Sequence, residues 1–128
     1  MKLQPDKSEV QTITAYGPGW IAINHERLES SVIVSAGGER LAWDCASFET
    51  LGAEHFAQLA TLDAEMVIFG SGARLRFPHP SWLQPLMARR TGVETMDTAA
   101  ACRTYNILAA EGRRVVAALL VERPSGGT

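Results

Sequence analysis

A chain of 128 residues, 46% hydrophobic and 20% charged, has the size and balance of one globular domain and lies outside the disordered regime. At this length folding buries about two-thirds of the surface of the extended chain, so a core forms without disulfide or metal staples. The formal charge of −2 argues against a nucleic-acid partner, since binding phosphates calls for a basic balance.

In chain order, Val10 to Tyr16 alternates and reads as a strand. Gly17-Pro18-Gly19 suits a type II turn, with Pro and then Gly at its centre. Trp20 to Ile23 resumes as a strand and Asn24-His25-Glu26 is a turn. Ser31 to Ser35 is β-branched and short, closed by Gly37-Gly38, and Leu41 to Trp43 adds a brief strand. Such short connections predict antiparallel pairing in this β-rich third.

The character changes near Thr50, which caps a predicted helix over Ala53–Leu62. Ala53, Phe56, Leu59 and Ala60 form its inner face, with His55, Gln58 and Thr61 outside. Glu65 to Phe69 reads as a strand buried on both faces and ends in Gly70-Ser71-Gly72. Ala73 to Phe77 alternates like a further short strand. Ser81-x-x-Gln84 resembles a capping box ahead of Leu83, Leu86 and Met87, with Pro85 in the first turn and Gly92 as the stop. Val93 to Met96 is a strand, and Asp97 or Thr98 caps a helix running to Ala110 with Gly112 as its left-handed end. Val115 to Val121 is a last, fully apolar strand.

Strand, helix, strand, helix, strand from Met66 onward predicts parallel crossovers. With the antiparallel front third, the expectation is a single α/β domain over residues 10–121, built on a mixed sheet with helices packed against it. Residues 1–9 read as a flexible N-terminus and 122–128 as a disordered tail.

Two constellations can carry chemistry. Gly70-Ser71-Gly72 lies at the carboxyl end of a buried strand, where open α/β sheets bind ligands. No third glycine and no immediate helix follow, so the dinucleotide fingerprint is incomplete and a plain turn is favoured. Ser71 also lacks the nucleophile-elbow context. On the helix from Asp97, Arg103 and Asn106 share a face among small residues and can hold a carboxylate or phosphate. The structural alternative pairs Arg103 with Asp97, Glu94 or a C-terminal carbonyl and uses Asn106 to tie down a loop. Cys102 reads as a buried small hydrophobe, and two cysteines make no disulfide framework. His25 falls in a turn, His55 on an outer helix face and His79 between prolines, at spacings that fit no zinc site. The residues therefore assign no catalytic group, no cofactor and no metal.

Met96-Asp97-Thr98-x-Ala100-Ala101-Cys102-Arg103-Thr104-Tyr105-Asn106, then Glu111-Gly112-Arg113-Arg114-Val115, resembles a widespread family of small domains without an assigned reaction. Its eukaryotic relatives include a mitochondrial complex I assembly factor and an adipogenesis-associated protein. Tyr16-Gly17-x-Gly19-Trp20, Trp43 and Ile68-x-Gly70-Ser71-Gly72 fit the same pattern, so the resemblance spans roughly Val10 to Val121. It implies a three-layer α/β fold with a mixed central sheet, and no catalytic residues to carry over. The N-terminus shows neither an apolar signal region nor an Arg-rich, acid-poor leader. No apolar run approaches the ~20 residues of a membrane span. The expectation is a bacterial-type, cytoplasmic member that acts as a non-enzymatic interaction or assembly-factor-like module through a protein partner; homo-oligomerisation is compatible with it. The alternative is a small-molecule or anion-binding domain, with or without a reaction, using Ser71, Gly72, Arg103 and Asn106.

Overall fold

The computed structural model describes residues 11–123. The expectations for the two ends fall largely on residues 1–10 and 124–128, outside the described residues. Three strands, β1 (Ile13–Gly17), β2 (Trp20–Ile23) and β3 (Glu26–Leu28), form an antiparallel sheet in that order. Pro18-Gly19 is the whole loop between β1 and β2, and Gly19 takes the positive φ of 77° that such a turn needs. Asn24 and His25 both sit at positive φ, 49° and 71°, and link β2 to β3 as a two-residue hairpin loop. The sequence reading placed Glu26 in that turn and missed β3. With Glu26 and Arg27 both exposed, this strand has no apolar alternation to reveal it.

Five more strands form the central sheet: β4 (Val32–Ser35), β5 (Arg40–Ala42), β6 (Met66–Gly70), β7 (Gly92–Met96) and β8 (Val115–Leu119). Their order is β5-β4-β8-β6-β7. The β4 strand pairs antiparallel with β5 and β8, while β6 pairs parallel with β7 and β8. The predicted mixed sheet is present, and the N-terminal third divides between it and the smaller sheet.

The single α/β domain has three layers because β6 and β8 are apolar on both faces. Successive side chains of a strand point to opposite sides, so Ile68, Ala117 and Leu119 face one layer while Val67, Phe69, Val116 and Ala118 face the other. Against the first pack Ala101, Cys102 and Tyr105 of α3 (Thr98–Ala110), with Ile13, Ile21 and Ile23 of the small sheet. Against the second pack Phe56 and Leu59 of α1 (Ala53–Leu59) and Leu86 of α2 (Gln84–Ala88). Trp43 wedges edge-on against Phe56 and Phe69, its ring centroid 6.0 Å from each.

Several local readings need correction. Thr50 ends a separate 3-10 turn (Phe48–Thr50), and Gly52 is the N-cap of α1. The helix stops at Leu59, with i→i+3 bonds from Thr61 and Leu62 tightening its end. His55 is buried, because its Nδ1 accepts the Gly52 N–H at 3.0 Å and its Nε2 donates to the Asp44 carbonyl at 2.7 Å. Ala53, expected inside, is exposed. Ahead of α2, His79 caps a 3-10 turn over Pro80–Leu83, and Arg90 at φ 60° makes the left-handed exit assigned to Gly92. Residues 73–77 form no strand, and their backbone is instead folded back on Ser71, whose hydroxyl donates to Arg74 O and accepts the Arg76 N–H.

Candidate functional site

The third helix starts where β7 ends. Asp97 has extended backbone and its Oδ1 accepts the Ala100 N–H at 2.8 Å, a standard N-cap. The helix lies close on β6 because Gly70 has no side chain: a Cβ there would stand 3.0 Å from Thr98 Cα and Ala101 Cβ. Thr98 ties three segments together. Its N–H donates to Gly72 O at 2.9 Å, and its hydroxyl accepts the Gly72 N–H at 2.9 Å and donates to Leu120 O at 2.8 Å.

Ser71 is buried and its groups are committed to the backbone. Its hydroxyl donates to Arg74 O at 2.9 Å and accepts the Arg76 N–H at 2.9 Å, and its own N–H donates to Met96 O at 2.8 Å. The hydroxyl is a staple for the loop, with no base beside it. Gly72 adopts φ 103°, and a Cβ there would collide with Arg76 Nη2 and Glu122 Oε1. These two atoms form an ion pair at 2.6 Å, with side chains only 17% and 20% exposed. Arg76 Nη2 also donates to Ser71 O at 2.7 Å, and the guanidinium carbon lies 4.8 Å from the Phe48 ring centroid. Glu122 Oε2 accepts the Phe48 N–H at 2.8 Å. The sequence reading missed this pair. Its signal was an arginine at the inward position between Leu75 and Phe77, and a glutamate directly after the last apolar strand.

The carboxyl ends of β6, β7 and β8 open on a cleft of about 360 Å³ between the β1–β2 turn and the start of α3. Tyr16, Pro18 and Trp20 form one wall, Gly72, Asp97 and Thr98 the other, with Leu120 and Glu122 behind. Trp20 folds over its own turn because Gly17 leaves room: a Cβ there would stand 2.5 Å from the indole Nε1. Arg27 covers the indole, its guanidinium carbon 4.4 Å from the ring centroid.

Of the four residues singled out in the sequence, Gly72 lines this cleft. Ser71 lies buried beside it in the loop. Arg103 stands at the rim, its Nη1 donating to the Tyr16 hydroxyl at 2.7 Å. Asn106 holds the backbone of Ile13, at 2.9 Å through Oδ1 and 2.8 Å through Nδ2. The four are spread from beside the N-terminus of α3 into its second half and do not line one cavity.

Neither cysteine presents a thiolate. Burial pushes the Cys45 thiol up to about 11 and the Cys102 thiol up to about 12. Burial also raises the Tyr105 phenol, whose hydroxyl donates to Gln11 O at 2.6 Å. Among the described residues no group of His, Cys, Asp and Glu is placed to hold a metal ion, and no helix is long and apolar enough to cross a membrane.

Most of this cleft, with its glycine-bearing loops, lies inside a stretch that matches a known domain family. Residues 13–120 match the family described as "Protein of unknown function (DUF498/DUF598)". The chain belongs to this family. Among its relatives is the NADH dehydrogenase [ubiquinone] 1 alpha subcomplex assembly factor 3 of Danio rerio, 30% identical over 97% of this chain and 71% of that protein. The protein of that name from Bos taurus is 36% identical over 67% of this chain, which spans only 47% of its length. Among solved structures, a crystal structure of a Bordetella parapertussis protein is 41% identical with a TM-score of 0.83, covering 88% of this chain and 97% of that one. A Bordetella pertussis protein described as an Mth938-like domain is 35% identical with a TM-score of 0.78, over 98% and 95% of the two chains. The family match gives the family of this chain, and the solved structures share its mixed α/β fold.

Proposed function

We propose that this protein is a non-enzymatic interaction module of the assembly-factor kind, a bacterial-type, cytoplasmic member of its family that works through a protein partner. The observation that carries this reading is the loop after β6. Arg76 turns inward to Glu122 and Ser71, which holds Leu75 and Phe77 outward at 51% and 67% exposure. Large apolar side chains fixed outward on an anchored loop are costly in water and ready for docking, since little order remains to be imposed on binding. The assembly-factor names of the relatives support the same reading. So does the commitment of Ser71, His55 and Asn106 to backbone groups.

The test is affinity purification at native expression level from cells that make the protein, comparing wild type with the double variant L75D/F77D. A stoichiometric partner retained by the wild type and lost from an equally stable variant is expected. Recovery of the free protein alone from both would overturn the proposal.

A second reading, a small-molecule or anion-binding domain, draws support from the cleft. Gly72 and the start of α3 line it at the carboxyl ends of parallel strands, where α/β sheets take their ligands. In this reading Gly72 and Arg103 face the ligand, and Ser71 and Asn106 support them. Saturable stabilisation by a small molecule, lost on blocking the cleft with Ala99→Trp, is the expected result.

A further inference from the structure

We propose that the cleft between the β1–β2 turn and α3 binds an amphipathic monocarboxylate, its apolar body against Pro18, Trp20 and Leu120 and its carboxylate on Arg103. This rests on the second reading above and adds the class of ligand and the residue that selects it.

The interior of the cleft favours an apolar guest because its polar side chains are already engaged within the protein. Both bonds of the Thr98 hydroxyl go to Gly72 and Leu120. Glu122 spends one oxygen on Arg76 and the other on the Phe48 N–H. Asp97 caps α3. What remains for a guest is the surface of Tyr16, Pro18, Trp20 and buried Leu120. Trp20 is a fixed wall, held by Arg27 on its ring and by the tight turn behind it.

The same carboxylates decide where charge can go. A bare anion at the inner end would meet Asp97 and Glu122, which line it, and like charges at close range repel. A negative group therefore belongs at the outer end, beside Arg103. There the guanidinium donates to a neutral acceptor, the Tyr16 hydroxyl, and no carboxylate of the described residues lies within ion-pair distance. A guanidinium carries five N–H donors in a planar fork, so donors remain for a carboxylate after Tyr16 has taken one. Arg103 lies four residues beyond Ala99, which lines the cleft, and so stands one turn along the same helix face. Tyr16 orients Arg103 and also forms part of the wall, so body and charge are read by adjoining groups.

Size limits the body. At about 360 Å³ the cleft lies near the lower end of the ~300–1,000 Å³ of ligand pockets. One aromatic system or a short branched chain fits within it.

The test is a titration of the full ¹⁵N-labelled chain, followed by amide chemical shifts, with indole-3-acetate and isovalerate and with their neutral amides. Saturable shifts at Gly17, Gly19, Gly72, Ala73 and Ala99 are expected for at least one acid, with its amide at least tenfold weaker. Arg103→Gln, at an exposed position, should bring the acid down to the affinity of the amide and leave the amide unchanged. Tyr16→Phe, which keeps the ring and releases Arg103, should weaken the acid by a smaller factor. Equal binding of acid and amide, or of acid to wild type and Arg103→Gln, overturns the carboxylate assignment while leaving the cleft as a ligand site. No saturable shift with any of the four probes overturns both.

Discussion

Asn106 holds Ile13 as a neighbouring strand would, its Oδ1 accepting the Ile13 N–H at 2.9 Å and its Nδ2 donating to the Ile13 carbonyl at 2.8 Å. One side chain of α3 thereby completes the backbone pairing of β1 beside the irregularity between Ile13 and Ala15. The small sheet is tied to the helix by this amide and by the Tyr105 hydroxyl on Gln11. Asn106→Ala removes both partners and leaves a part-buried donor and acceptor without them. The expected loss is about 2–3 kcal/mol in urea unfolding. Asn106→Asp should not rescue it, because a carboxylate would face the Ile13 carbonyl. A loss below about 0.5 kcal/mol, the ordinary range for surface substitutions, would show that solvent replaces the amide.

Gly72→Ala combines two penalties. The residue sits at φ 103°, and its new Cβ would push into the Arg76–Glu122 pair. A destabilisation of about 2–4 kcal/mol is expected from backbone strain and displacement of a mostly buried pair. Thermal unfolding checks it. Adding Arg76→Ala should not restore stability, since Glu122, mostly shielded from water, would then lose its cationic partner and keep only the Phe48 N–H.

Glu65 governs part of the acid limb. The Arg113 side chain, followed by the Arg114 N–H, holds its carboxyl below the usual carboxylate range. The folded state therefore binds this proton less readily than the unfolded chain. Its contribution is complete above the unfolded carboxylate range and is lost as pH falls through the lower folded value. Glu65→Gln should flatten the fall in stability on acidification. An unchanged acid limb, followed by denaturant midpoint against pH, would refute this.

The cysteines act at the other end of the scale. With thiols raised by burial to about 11 for Cys45 and about 12 for Cys102, the unfolded chain loses these protons first. Stability they contribute is complete below the unfolded thiol pKa and declines as pH rises through the folded values. At pH 8 both should resist iodoacetamide in the folded protein and react freely in denaturant. Cys45, 7% exposed against 0% for Cys102, should be modified first. Mass spectrometry after timed quenching separates the two.

Much of the fold could be read from the residues because its central strands are apolar on both faces and end in turn residues. Val67-Ile68-Phe69 and Val115 to Leu119 lie where expected, as does the helix capped by Asp97 and closed near Gly112. Elements whose identity depends on tertiary partners were harder to see. The β3 strand is polar and three residues long, and exists because Asn24 and His25 turn the chain back onto β2. His55 looks like a surface residue by spacing, yet the N–H of the helix cap Gly52 and the more distant Asp44 carbonyl draw it inward. At the candidate site, Gly72 and Arg103 were visible as residue types. The walls built by Tyr16 and Trp20, and the Arg76–Glu122 pair behind them, join positions tens of residues apart, and no local pattern connects them.

The position of β8 has a consequence for synthesis. It is the last of the described strands in chain order and the middle one in space, between β4 and β6. Until residues 115–119 are available, the β4–β5 hairpin and the β6–β7 pair share no hydrogen bonds, and each presents an unpaired inner edge. The nascent chain therefore carries two half-sheets with open apolar strands, the kind of edge that pairs wrongly with other chains. Folding of this domain is in effect a closing step, in which one short segment is inserted and joins both halves at once. Without residues 115–119 the two halves would remain separate fragments of a sheet, each with an open edge.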